Sequence, residues 1–243
     1  MSYPQIPLLD CDSFIWAACC AAKEDEPVEN VKHTLKLKMQ SIIDKFDRGL
    51  SYHAYLTSTD KSNFRYALAK IKPYKGNRTQ PKPQYFEEAR EYLVKYWNAE
   101  VIYGMEADDA IGIVQYSDKS RNTCIVSIDK DMLTVPGFYL NWRTGAYGYT
   151  SLLEADRNFW KQMITGDTTD NIQGVQKWGK VKADKLLAEC ATSEEMRQAV
   201  IDVYKSAPEE GWNGLTAEEA FKEMGHLLFI RRKPNEGWDD RWE

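Results

Sequence analysis

Three short apolar runs in this chain each lead into an aspartate. Ile6–Leu9 runs into Asp10, Tyr52–Thr57 comes shortly before Asp60, and Thr123–Ile128, the clearest buried strand in the sequence, meets Asp129. Segments with helical spacing separate them, Val28–Phe46 and Phe86–Trp97 among them. Strands alternating with helices predict an α/β domain with a largely parallel central sheet. Ligand sites in such sheets form beyond the carboxyl ends of the strands, so one rim is expected to gather Asp10, Asp60 and Asp129. Asp12, two residues after Asp10, reads as the cap of the first helix.

The stretch Glu106-Ala107-Asp108-Asp109 follows another brief strand, Glu100–Tyr103, and opens a helix whose apolar side begins at Ala110 and Ile111. Acids suit a helix N-terminus, but capping needs one or two. Three carboxylates within four residues repel one another unless a cation neutralises them. Asp131, Asp167 and Asp170 extend the set from two further segments. The three histidines are scattered, and the five cysteines show no CxxC spacing, which argues for reduced thiols and against a zinc site. Oxygen-only ligands suit magnesium or manganese, and this many carboxylates exceed what one ion needs. Two ions are therefore expected, the arrangement that activates water and stabilises a leaving oxygen in phosphoryl transfer.

The net charge of −5 hides an uneven distribution. From Lys61 to Phe86 there are seven basic residues, Arg65, Lys75 and Arg78 among them, and no acid. Pro73, Gly76, Pro81 and Pro83 keep this segment irregular, and Tyr74 and Tyr85 set rings among the cations. Such interleaving suits a surface that tracks a nucleic-acid backbone. Farther on, a helix near Asp156–Ile164 leads through Gly166–Gly179 to a second helix beginning near Lys180. Gly174 and Gly179 bracket the turn, where backbone amides and a helix N-terminus can meet phosphate, with Lys177, Lys180 and Lys182 around them. Together with the acids, these features imply metal-dependent hydrolysis of a polynucleotide phosphodiester. Phe138–Trp142 and Tyr147–Thr150 read as a hairpin around Gly145, Thr192–Leu228 as helical, and the tail from Phe229 carries no functional reading. No run of eighteen apolar residues exists, and the opening Met1–Pro4 lacks signal-peptide features, so a cytoplasmic protein without a membrane span is expected.

LLDCD (8–12), TDKSNFR (59–65), YKGNR (74–78), EADDAIG (106–112), SIDKDM (127–132) and GDTTDNIQGVQKWG (166–179) carry a resemblance to the 5′→3′ exonuclease/flap endonuclease family, particularly its stand-alone phage enzymes. The resemblance implies a PIN-like nuclease domain over residues 1–150, with a basic arch or gateway at about 61–98. A helical region over 151–243 would follow, with a helix–three-turn–helix element at about 166–190. It implies that Asp10, Asp60, Glu106, Asp108, Asp109 and Asp129 surround a first metal, and that Asp131, Asp167 and Asp170, with Asp129 shared, complete a second. Lys75 and Arg78 would meet the scissile phosphate. Arg65 would join them on DNA, and Gly174–Lys182 would grip the duplex, with potassium in some relatives. Implied partners are DNA with a 5′ end or 5′ flap, RNA–DNA hybrid, and replication proteins, the enzyme acting as a monomer in a bacterial host's cytoplasm. Three departures stand out: many relatives carry the acid of Asp60 where this chain has Ser58, Asp12 is an extra acid, and Trp178 replaces a small apolar residue. Asp10-Cys11-Asp12 with Gly166–Asp170 also resembles the haloacid-dehalogenase phosphatases, a reading that leaves the EADD stretch, the basic segment and the glycine turn unused. A non-catalytic DNA-binding protein would need none of the acids, and PIN-type ribonucleases usually lack the helical hairpin.

Overall fold

A computed structural model describes residues 4–46 and 51–238. In chain order these form β1 (Ile6–Asp10), α1 (Cys11–Cys19), α2 (Val28–Ile43), β2 (His53–Thr57), α3 (Arg65–Leu68), α4 (Phe86–Trp97) and β3 (Glu100–Ile102). Next come α5 (Ala107–Ser117), β4 (Thr123–Val126), a 3-10 turn (Lys130–Thr134), β5 (Gly137–Leu140) and β6 (Tyr147–Thr150). The C-terminal part holds α6 (Leu152–Thr165), the two-residue strands β7 (Gly166–Asp167) and β8 (Ile172–Gln173), α7 (Lys180–Ala188), α8 (Ser193–Lys205) and α9 (Ala217–Leu228). The first three residues and the end of the tail, 239–243, lie outside the described residues.

The large sheet runs β3-β2-β1-β4-β5-β6. All pairings are parallel except β5 with β6, which form the expected hairpin. Alternation along each strand divides the core in two. Leu9, Leu56 and Val126 pack with α1, α2 and α4 on one face. Leu8, Tyr55 and Ile125 point to the other, onto Ile111 of α5 and Ile230 of the tail. A third cluster, built around Trp160, Tyr204, Trp212 and Phe221, joins α6, α8 and α9, and takes in Ile71 and Tyr74 from the basic segment.

Helix α6 begins four residues earlier than its apolar spacing predicts, because Ser151 and Glu154 form a capping box there. Two more capping boxes, Thr192 with Glu195 and Thr216 with Glu219, divide the predicted helical stretch from Thr192 into α8 and α9. Gly112 of α5 lies against the tail, where an added Cβ would sit 2.5 Å from the Arg231 carbonyl oxygen. Among the described residues no helix is long and apolar enough to cross a membrane.

Candidate active site

The parallel pairing of β1 with β2 and β4 brings the carboxyl ends of three strands to one edge. Asp10 ends β1 and accepts a hydrogen bond from the buried Ser127 hydroxyl at 2.6 Å. Burial first, then repulsion from Asp12 and Asp129, raises its pKa to about 7. Ala107 N–H donates to Thr57 Oγ1 at 3.0 Å, fixing the start of α5 against β2. That sets Asp108 toward the same acids, and burial followed by repulsion from Asp10, Asp129 and Glu106 pushes its pKa well above the ordinary value. Asp129 is also raised, chiefly by loss of water around it, although part of the residue stays exposed. Asp10, Asp108 and Asp129 therefore form a group whose complete ionisation calls for a cation.

Lysines separate the remaining acids. The Lys75 ammonium pairs closely with Glu106 and lies 3.6 Å from Asp170 Oδ2. Burial opposes charge on Glu106, but Lys75 and Arg65 outweigh it and hold the pKa at about 2. Tyr74, buried beside them, directs its hydroxyl at Glu106 Oε2 (2.7 Å) and Asp170 Oδ2 (2.8 Å). Arg78 Nη2 reaches Asp170 Oδ1 at 2.6 Å. On the other side Lys130 Nζ bridges Asp131 (2.8 Å) and Asp167 (3.2 Å), and Gln162 Nε2 donates to Asp131. Burial, then Asp129, raises Asp131 to about 7. Burial also opposes ionisation of Asp167, but hydrogen bonding to Asp131 and the nearby Lys130 outweigh it and lower its pKa. Among the described residues no three His, Cys, Asp or Glu side chains stand in a ready ligand arrangement. The donor set nonetheless fits a hard cation: all oxygen, repelling at its centre, and kept apart by ammonium groups that can swing away.

Backbone contacts latch the basic segment to the loop after β7. Lys75 N–H donates to the Asp170 carbonyl (2.9 Å), Asn77 Nδ2 to the Thr168 carbonyl (2.7 Å) and Asn171 Nδ2 to the Pro73 carbonyl (2.9 Å). Lys75 and Asn171 both adopt left-handed backbone to make this fit, with φ of 53° and 61°.

Several expected site residues have other work. Arg65 is 2% exposed: it forks onto Asp109 at 2.6 and 2.9 Å and donates to the carbonyls of Leu227 and Phe229. It cannot reach DNA. Asp109, wholly buried, also accepts from the backbone amides of Glu106 and Arg231, which leaves its oxygens saturated and unable to bind a metal. Asp60 is exposed and folded back on Ser62 N–H at 2.9 Å, away from the acid group. Asp12 takes a place nearer the site without capping α1, accepting from Thr57 N–H (2.9 Å) and Arg90 (3.2 Å). So engaged, it is not the free acid that a phosphatase would need. Gly174 packs inward, where a Cβ would fall 2.4 Å from the Thr165 carbonyl oxygen, so its role is close packing and not phosphate approach. Gly179 is open and caps α7, with Lys177, Lys180 and Lys182 exposed around it. Ser127, Lys130, Gln162 and the two asparagines were given no site role by sequence, and Tyr74 was read only as a ring among the cations.

An acid-rimmed, largely parallel sheet joined to a helical hairpin is the fold of 5′-exonuclease and flap endonuclease structures. The structure of the bacteriophage T5 flap endonuclease, in a pseudo-enzyme-product complex with DNA and metal ions, superimposes with a TM-score of 0.66 at 17% identity, covering 90% of this chain and 87% of that one. In sequence the chain is similar to the Escherichia phage T7 exonuclease, 32% identical over 144 residues, 54% of this chain and 46% of the relative. The Enterobacteria phage T3 exodeoxyribonuclease is 28% identical over 178 residues, 68% of this chain and 55% of the relative. The chain spans about half the length of these curated relatives. No family model matches it. The resemblance carried by the motifs is borne out in sequence and fold alike.

Proposed function

We propose that this chain is a divalent-metal-dependent 5′→3′ exonuclease and 5′-flap endonuclease that hydrolyses DNA phosphodiester bonds. The observation that carries this reading is the repelling group Asp10, Asp108 and Asp129 at the sheet rim, facing a lysine held among acids. Glu106 would join that group around a first magnesium or manganese ion, and Asp131, Asp167 and Asp170, with Asp129 shared, would hold a second. Two such ions would lower the pKa of water and neutralise charge growing on the phosphate.

The chain's own groups do the rest. Once Glu106 is engaged by metal, the Lys75 ammonium would be free to turn to a non-bridging oxygen of the scissile phosphate, with Arg78 beside it, and Lys130 would likewise give up Asp131 and Asp167. The Ser127 hydroxyl keeps Asp10 oriented, and the turn at Gly179 with Lys177, Lys180 and Lys182 holds the duplex backbone. The nuclease part corresponds to residues 1–150 and the helical part to 151–243. DNA with a 5′ end or flap is the principal substrate, and the RNA strand of a hybrid a further one. Potassium at the helical hairpin, replication-protein partners and a monomer in a host's cytoplasm belong to the same proposal on the strength of resemblance.

The test compares wild type with Asp129→Asn on 5′-labelled duplex and 5′-flap DNA, with magnesium or EDTA. Magnesium-dependent release of short 5′ products, abolished in the variant while DNA binding in calcium persists, is the expected result. Full activity of the variant would remove Asp129 from the metal site, and binding without any cleavage by wild type would leave a non-catalytic DNA-binding protein.

A further inference from the structure

A groove of about 550 Å³ lies between α1, α2 and the turn joining β5 to β6, outside the acid cleft. Lys38 of α2, Lys45 in the turn just past its end and Arg143 of the β5–β6 turn line it, and no carboxylate does so among the described residues. Asp44, next to Lys45, is held instead by Gln40 Nε2 at 2.6 Å. Three neighbouring cations in a chain of net charge −5 repel one another and favour an anionic ligand. Between them the lining is small and apolar, with Ala17 and Ile42.

The groove is joined to the cleft by a short chain of hydrogen bonds. Trp142 forms one end, and its indole N–H donates to Ser13 Oγ at 3.0 Å. Ser13 Oγ–H in turn donates to the carbonyl of Asp10 at 2.8 Å. Ala17 and Cys20 line the groove on the side of α1 that carries Ser13, one turn back toward Asp10. Over the ten residues from Asp10 to Cys20 the helix rises about 15 Å. Lys38 and Arg143 approach the Trp142 ring to 5.2 and 5.5 Å, which limits their freedom at the cleft end. Lys45 lies farther along, two residues past the end of α2 at Ile43. Cations spread along the groove in this way suit the repeated phosphates of a polyanion.

We infer that this groove binds a single-stranded polynucleotide, with Lys38, Lys45 and Arg143 each meeting a backbone phosphate as the strand passes between the acid cleft and the outer end of α1. The identity of the polymer rests on the nuclease reading above. The preference for repeated phosphates rests on the groove alone.

The test uses the full chain in calcium, with fluorescent oligo(dT) and a blunt duplex, and measures affinity by anisotropy across a potassium chloride series. In the variant Lys38→Gln/Lys45→Gln/Arg143→Gln, oligo(dT) affinity should fall tenfold or more at low salt. The salt slope should drop by about two, since each single-strand phosphate contact contributes roughly 0.7. Blunt-duplex affinity should be unchanged, which also reports an intact fold. Cys20 is exposed in the groove, so bound oligo(dT) should slow its alkylation by maleimide in wild type but not in the variant, as read by peptide mass mapping against Cys190. Undiminished oligo(dT) binding by the variant, with Cys20 still unprotected in wild type, would overturn the groove. Failure of wild type to bind either DNA would overturn the nuclease reading itself.

Discussion

Lys75 meets Asp170 twice: its backbone N–H donates to the Asp170 carbonyl at 2.9 Å, and its ammonium lies 3.6 Å from the Asp170 carboxylate. The first contact fixes where the residue sits. The second is an ion pair that a cation can replace, leaving the backbone anchor untouched. Position and charge are thus governed separately at one residue.

Lys75→Ala should lower turnover by about 10²-fold or more while affinity for flap DNA in calcium falls only a few-fold. Asp60→Ala, by contrast, should leave both near wild type. Single-turnover kinetics checks the pair, and a large loss in Asp60→Ala would return that acid to the site.

Removing Lys130 should strengthen divalent-cation binding, because it leaves Asp131 and Asp167 without their bridging ammonium. Calcium titration of Lys130→Ala by calorimetry should show at least one site several-fold tighter than in wild type. Weaker binding would mean that the lysine supports the metal site.

Stability of the metal-free protein should fall as pH rises from 5 to 8. Asp10, raised to about 7, binds its proton more tightly folded than unfolded, so stability present below its unfolded pKa is lost as pH rises through the folded value. Asp131, raised likewise, adds in the same direction. Glu106 has the opposite sign, but its depressed pKa puts its effect below pH 5. Melting temperature in EDTA should drop by on the order of 5–10 °C across this window, and magnesium should restore more of it at pH 8 than at pH 5. A flat profile would contradict the repelling acid group.

Arg65→Ala should destabilise the fold by about 3–5 kcal/mol, since it leaves Asp109 charged and buried. Arg65→Lys should recover only part of this, because one ammonium cannot reproduce the two-pronged contact. Urea unfolding decides, and a stable Arg65→Ala with weakened DNA binding would restore the residue to the DNA surface.

The sheet and its acid rim were legible because strand alternation and the aspartate after each strand are local patterns. So were α2, α4 and the two helices flanking the glycine turn. Arg65 and Asp109 misled for one reason: each sits in a motif of chemistry-bearing residues, yet they find one another across 44 positions of sequence. Composition cannot distinguish a cation that awaits phosphate from one already paired. Asp60 and Asp12 exchanged importance because a two-residue turn at Ser62 folds Asp60 outward, whereas the first turn of α1 leaves Asp12 facing β2. Gly174 was correctly seen as a required glycine, but what approaches it is Thr165 and not a ligand.

The tail has a consequence for biosynthesis. Leu227 and Phe229 hold Arg65, Arg231 completes the coordination of Asp109, and Ile230 closes the core beneath α5. A nascent chain therefore carries Asp10, Asp108 and Asp129 well before it has the residues that seat α5. Until translation passes Arg231 the helix bearing Asp108 lacks its support, and a polypeptide still on the ribosome has the rim acids without the alignment the folded chain gives them.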